Sequence, residues 1–241
     1  MSADYRTSRS GDLKILWYLN SMKAAKVLVI VLISAVMATA QARIIPIMPA
    51  AMMTDGVLAS TVRHENREAL RLVEANNQRA GGVAFVNSQF FRNGTIEVDV
   101  AGRRGPFAVA DDRGFIGVAF RVSSDRTKYE YIYLRPDNGR AEDQVRRNHS
   151  IQYASHPDFP WQRLRKESPE KYESYVDLQP GVWTAMRIEV SGTTARLFVD
   201  ASPQPNLIVT DLKLGATDGG IGLWIGPGTE GFFSNLRILP R

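Results

Sequence analysis

The chain has 241 residues, a formal net charge of +5 and no cysteine, which excludes disulfides, thiolate nucleophiles and cysteine-ligated metals. Residues 1–42 hold five basic and two acidic residues, leaving 25 basic against 23 acidic and a net charge of only +2 for the rest. That near balance gives no support to nucleic-acid binding, which needs a clustered basic field, and a hydrophobic share of 44% suits a globular domain with a sizeable core.

The first organised stretch is 22–42. Lys23 and Lys26 precede an apolar run over 27–36, and Ala38-Thr39-Ala40 and Ala40-Gln41-Ala42 each offer a small-residue cleavage site. This is the pattern of a secretory signal peptide, since the apolar run is short for a membrane span. Cleavage after Ala40 or Ala42 is expected, giving a periplasmic or extracellular mature chain with no membrane span. Residues 1–21 then read as an upstream-start artefact or a long n-region. Residues 43–56, punctuated by prolines, read as a linker, and the folded domain is expected over 57–241.

Over 58–80, Leu58, Ser60, Val62 and His64 alternate, Glu65-Asn66-Arg67 turns, and Leu70 and Leu72 alternate again. This predicts a hairpin despite the helix formers in its second half. Residues 82–87 form a short apolar strand. The strand over 94–100 buries Ile96, Val98 and Val100 and shows Glu97 and Asp99; the strand over 115–122 buries Ile116, Val118 and Phe120 and shows Arg121. From Tyr129 the alternation is strict. Ile132 and Leu134 point one way, and Tyr129, Tyr131, Tyr133 and Arg135 point the other. Pro136 ends this strand, Asp137-Asn138-Gly139 turns, and a polar excursion returns as a strand over 150–154. Residues 156–172 contain three prolines and read as an irregular loop pinned by Phe159 and Trp161. Further strands are expected over 173–178, 183–190, 195–200, 207–214, 220–225 and 232–239. About a dozen short strands with no helix predict an all-β, two-sheet antiparallel β-sandwich of the jelly-roll type.

The closing strands carry a resemblance. GVWTAMRIEVSGTTARLFVD, LIVTDLKLG and GGIGLWIGPGTEGFFSNLRI resemble the last strands of the concanavalin A-like lectin/glucanase superfamily, and GTIEVDV and FIGVAFRV match its early strands. Within it the chain most resembles the laminin-G-like and 3-keto-disaccharide-hydrolase-like jelly rolls of secreted bacterial proteins. The resemblance implies two antiparallel sheets, one concave, with ligands on the concave face or its rim. A fold of this kind hosts many functions and does not assign one.

The candidate site residues follow from residue chemistry. Tyr131 and Tyr133 offer flat apolar area with hydroxyls, suited to a pyranose. Arg121, Arg135, Asn138, Gln152 and His156 are expected beside them as hydrogen-bonding partners, and Trp224, alternating with Leu223 and Ile225, as a stacking platform. Arg135, Arg140, Arg146, Arg147, Arg163 and Arg165 cluster in sequence; planar guanidinium groups suit an acidic sugar, while Glu142, Asp143, Glu167, Glu170 and Glu173 offer internal partners. Glu97 and Asp99, roughly 6.6 Å apart if extended, are the candidate carboxylate pair of a glycosidase, and His149 a candidate acid or base. The laminarinase-type enzymes of the superfamily carry three acids along one strand; here Val100-Ala101-Gly102 follows and the third is missing. His149 and His156, seven residues apart, lack further ligands at metal spacing, so no metal or other cofactor is expected. The expected partner is a carbohydrate, with an acidic sugar among the candidates. The reading is an exported glycan-binding protein, with a glycoside or 3-keto-glycoside hydrolase and a cell-envelope structural or interaction domain as alternatives.

Overall fold

The computed structural model describes residues 42–87 and 89–241. The leader and its cleavage region up to residue 41 lie outside the described residues. In chain order the strands are β1 (Arg43–Ile44), β2 (Met52–Asp55), β3 (Val57–His64), β4 (Arg67–Glu74), β5 (Gly82–Val86), β6 (Gly94–Arg104), β7 (Ile116–Val122) and β8 (Tyr129–Leu134). They continue with β9 (Ile151–His156), β10 (Glu173–Ser174), β11 (Thr184–Ser191), β12 (Thr194–Val199), β13 (Leu207–Val209), β14 (Gly220–Ile225) and β15 (Thr229–Pro240). An eight-stranded sheet runs β13-β12-β11-β6-β15-β4-β3 with β1 beside β15, and a seven-stranded sheet runs β10-β9-β8-β7-β14-β5-β2. The pairings are antiparallel, so the fold is the two-sheet jelly roll that the closing strands resemble.

The core is where the alternating apolar positions of the two sheets meet. Ile96 and Val98 of β6 lie opposite Ile188 and Met186 of β11, and Val118 of β7 lies between Ile132 of β8 and Leu223 of β14. All seven are buried in one cluster, and each such side chain contributes about 1.5–3 kcal/mol by leaving water. The hairpin β3–β4 forms as expected. Its two turn residues, Glu65 and Asn66, both have positive φ (45° and 60°), the conformation that matches a two-residue turn to strand twist.

Three features differ from the expectation. The stretch 43–56 is not a bare connector: β1 pairs with β15 and β2 with β5. Its exposed burial pattern hid these edge strands from a reading based on alternation. Among the described residues, three short α-helices interrupt the loops, Pro136–Gly139, Gln144–Asn148 and Trp161–Glu167. The first begins on Pro136, whose ring presets the helical φ, and the second is capped by Asp143, whose side chain accepts from the Arg146 backbone N–H at 2.9 Å. The predicted strands over 173–178 and 207–214 shrink to β10 and β13, because only their first residues find a sheet partner. Among the described residues no helix is long and apolar enough to cross a membrane.

Candidate functional site

The outward side of β8 carries Tyr129, Tyr131 and Tyr133, with Arg135 just past its end. Tyr133 lies opposite Gly117 of β7 on one side and Gln152 of β9 on the other, and Gly117 in turn lies opposite Trp224 of β14. Glycine at 117 is what lets the rings close over β7. A Cβ there would sit 2.6 Å from that of Tyr133, whereas without it Tyr133 and Trp224 meet at 4.8 Å. Tyr131 joins them, 5.6 Å from Tyr133 and 5.1 Å from Trp224, and Phe115 meets Tyr133 edge-on at 6.3 Å. These offset and edge contacts are the favoured aromatic geometries. Burial pushes the Tyr131 and Tyr133 phenols well up, so both stay neutral hydrogen-bonding groups.

Beyond Tyr133 the face turns polar. Arg135 donates to the Tyr133 hydroxyl at 3.0 Å, to Gln152 Oε1 at 3.1 Å and to the His149 carbonyl at 3.1 Å. Asn138 Nδ2 donates to the same carbonyl at 3.0 Å. Gln152 Nε2 donates to the carbonyls of Tyr153 and Tyr172 at 2.8 and 3.2 Å. Behind them sits the buried carboxylate of Glu173. Arg165 grips it with two bonds of 2.7 and 2.6 Å, and Arg135 and the His149 ring each lie 3.5 Å away. Burial opposes ionisation of Glu173, but Arg165, His149 and Arg135 hold its carboxyl below the ordinary range. Burial lowers the His149 imidazole; Glu173 pulls it back up, and Arg165 and Arg135 push it down again.

A wall closes this face. The helix Trp161–Glu167 is anchored by Leu164, which is buried in the core, and its Trp161 ring lies under Arg165 at 4.6 Å and Arg135 at 5.5 Å. The result is one continuous groove in two parts. A cavity of about 370 Å³ has Tyr131, Tyr133 and Trp224 among its lining residues. An adjoining cavity of about 410 Å³ is lined by Arg113, Arg135, Asn138, Arg146, His149 and Arg165 among others. Asp111, Phe115 and Trp161 border both.

The structure therefore brings Tyr131, Tyr133, Arg135, Asn138, His149, Gln152 and Trp224 together and separates the others. Tyr133 and Arg135, only 2% and 4% exposed, form the packed base of the groove and not an open stripe. Arg121 is not on this face. It takes a left-handed backbone (φ 53°) at the β7–β14 irregularity and turns inward. There it donates to the carbonyls of Arg92 and Gly192 at 2.9 and 2.7 Å and to that of Gly215, tying three loops; burial lowers its pKa. His156 stacks on Tyr129 at 4.7 Å and borders a different cavity with Asp55, Asp125 and Arg126. Glu97 and Asp99 lie on the outer face of the eight-stranded sheet, across the core from His149. Asp99 accepts from Arg67 and Asn235, each at 2.6 Å, and Glu97 faces Arg187 and Arg237 across its strand. The three residues expected as a catalytic set do not share a site, because strand alternation assigns a side of a sheet and not the sheet.

Phe115, Gly117 and Arg113 were not among the expected site residues, and Arg146 was named only as one of the six clustered arginines. Gly117 carried a usable signal, since glycine inside a strand marks a close approach; Arg113 did not. Among the described residues, no group of three or more His, Asp or Glu is placed to share a metal ion.

The groove sits on a two-sheet antiparallel jelly roll. Comparisons with protein-family models and with curated proteins find no match. Among solved structures, the chain is similar to a carbohydrate binding module, CBM66 from Bacillus subtilis, at 12% identity over 76% of this chain and 94% of that one, with a TM-score of 0.49. It is similar to a putative glycosyl hydrolase from Parabacteroides distasonis at 16% identity over 83% and 100%, with a TM-score of 0.47. The exoplasmic/lumenal domain of VIP36 is similar at 13% identity over 81% and 87%, also with a TM-score of 0.47.

Proposed function

We propose that this chain is an exported carbohydrate-binding protein whose ligand lies in the groove on the seven-stranded sheet. One observation carries the reading: an aromatic base of two tyrosines and a tryptophan runs into an end lined by four arginines. A pyranose has an apolar CH face that stacks on aromatic rings and a rim of hydroxyls that needs hydrogen-bonding partners. The tilted Tyr131–Tyr133–Trp224 cluster supplies the first, and the arginine end and its carbonyls supply the second. The arginines favour an acidic sugar.

Glycoside or 3-keto-glycoside hydrolysis is the second reading, and His149 is the observation behind it. Its lowered pKa leaves it a neutral base at neutral pH in the groove wall, with Glu173 beside its Nε2. The test is a glycan-array screen run beside a hydrolysis assay on the same panel, 3-keto glycosides included. Binding without turnover is the expected result. Turnover lost in His149→Ala identifies an enzyme, and silence in both assays leaves the envelope-structural reading. Export is tested by N-terminal sequencing of the mature protein, with a start at Gln41 or Arg43 expected.

A further inference from the structure

The arginine end of the groove is not uniform. Arg165 is committed to Glu173 through both oxygens. Arg135 is committed to the Tyr133 hydroxyl, Gln152 and the His149 carbonyl. Together they hold one carboxylate and buttress the wall. Arg113 donates to the carbonyls of Ala110 and Asp112 at 2.7 and 2.9 Å. Its one carboxylate partner, Asp111 at 3.3 Å, is 96% exposed, so water and salt screen that pair. Arg146 differs again. Among the described residues its guanidinium makes no hydrogen bond or ion pair, and its Nε is buried without a partner. Asp137 feels Arg104, Arg113 and Arg146 and forms an ion pair with Arg104 at 3.3 Å.

We infer that Arg146, with Arg113 beside it, receives the carboxylate of a uronic acid whose sugar ring stacks at Phe115 and Trp161. This rests on the groove being the glycan site. Phe115 and Trp161 border both cavities, so a ring seated there projects its substituents into the arginine end. A guanidinium fork matches a planar carboxylate in two parallel bonds, and Arg146 is the arginine of the four whose fork is uncommitted. Its backbone is fixed by the Asp143-capped helix Gln144–Asn148, which presents the side chain from a rigid turn. Arg135, the arginine conspicuous in the strand pattern, positions the wall and does not read the charge.

The experiment is titration calorimetry of the purified protein with a galacturonate trisaccharide, its methyl ester and a sulfated trisaccharide of the same length. The acid is expected to bind at least tenfold more tightly than the ester, with the advantage shrinking as salt rises. Arg146→Gln is expected to bring the acid-to-ester ratio to about one, and Arg113→Gln to reduce it; circular dichroism checks that each variant folds. An ester bound as well as the acid, or an unchanged ratio in folded Arg146→Gln, overturns the inference while leaving the glycan site standing. A sulfated ligand preferred over the acid overturns the carboxylate assignment. Failure of all three ligands to bind overturns the inference, and the glycan-array screen then decides whether the glycan reading falls with it.

Discussion

On the eight-stranded sheet several outward charges are paired within the sheet. Arg67 pairs with Asp99, Arg71 and Arg103 share Glu230, and Arg187 pairs with Glu189. Its aromatic residues are capped as well: Trp183 by Arg67 at 4.7 Å, and Phe232 by Arg103 at 5.2 Å and the stacked His64 ring at 3.9 Å. On the seven-stranded sheet the aromatic rings pack against each other, a helix walls them in, and the cations exceed the carboxylates facing the same cavity. Both faces are mixtures of rings and arginines. A ring or charge that is already matched has little left to offer a ligand, whereas an uncommitted guanidinium beside walled-in rings does.

The sharpest break of this comparison is Arg135→Ala. It leaves the Tyr133 hydroxyl and Gln152 Oε1 without their donor in a buried setting and is expected to cost about 2–4 kcal/mol of stability. Urea unfolding measures it, and a loss below about 1 kcal/mol means that the base of the groove is not the packed network described. Trp224→Ala comes next. It removes one ring of the aromatic base and is expected to weaken binding of acidic and neutral glycans alike by about tenfold, or ~1.4 kcal/mol. A variant that still binds as wild type places the ligand elsewhere.

The pH dependence is smaller and spread over two windows. His149 and His156 both have folded pKa values lowered by burial. The unfolded chain therefore takes up these protons first, and stability is full above about pH 6.5 and falls as pH drops below it. Asp211 is opposed by burial but held at about 2 by hydrogen bonds from Tyr172, Lys213 and Lys171, so its contribution is lost as pH falls from about 4 towards 2. Melting temperature against pH measures both steps, and His149→Gln should flatten the upper one. Burial raises the Glu130 carboxyl and so adds a contribution of opposite sign on acidification. The check is therefore the difference between wild type and His149→Gln, and no difference between about pH 7 and pH 5 contradicts the histidine contribution. The smallest effect belongs to the other face. Glu97→Gln and Asp99→Asn are expected to change stability by about 0–1 kcal/mol, since the Arg67–Asp99 pair is part-exposed, and to leave glycan affinity alone. A loss of binding or turnover in either moves the site across the molecule.

Much of the architecture was legible in residue spacing. Alternation alone put Ile132 and Leu134 in the core and Tyr131 and Tyr133 on the other side, because a strand's side chains change face at every residue. It also placed Trp224 outward and the turn at Glu65-Asn66. The resemblance of the closing strands to concanavalin A-like proteins pointed to the same sandwich. What alternation cannot express is what lies on top of a face. Whether Tyr133 and Arg135 are exposed was decided by the helix Trp161–Glu167, which local sequence reads as a proline-rich loop. Arg121 followed the outward parity of its strand until a left-handed residue at a bulge turned it inside. Glu97 and Asp99 shared a parity with the tyrosines but not a sheet, since sheet membership is set by pairings such as β6 with β11 and β15, far apart in the chain. Arg113 and Arg146 became neighbours of the groove only when two loops folded against one cavity. The sequence by itself determined which side of a strand each residue takes; the tertiary structure decided which sides face each other and which charges remain unmatched, because those depend on contacts between segments with no local signature.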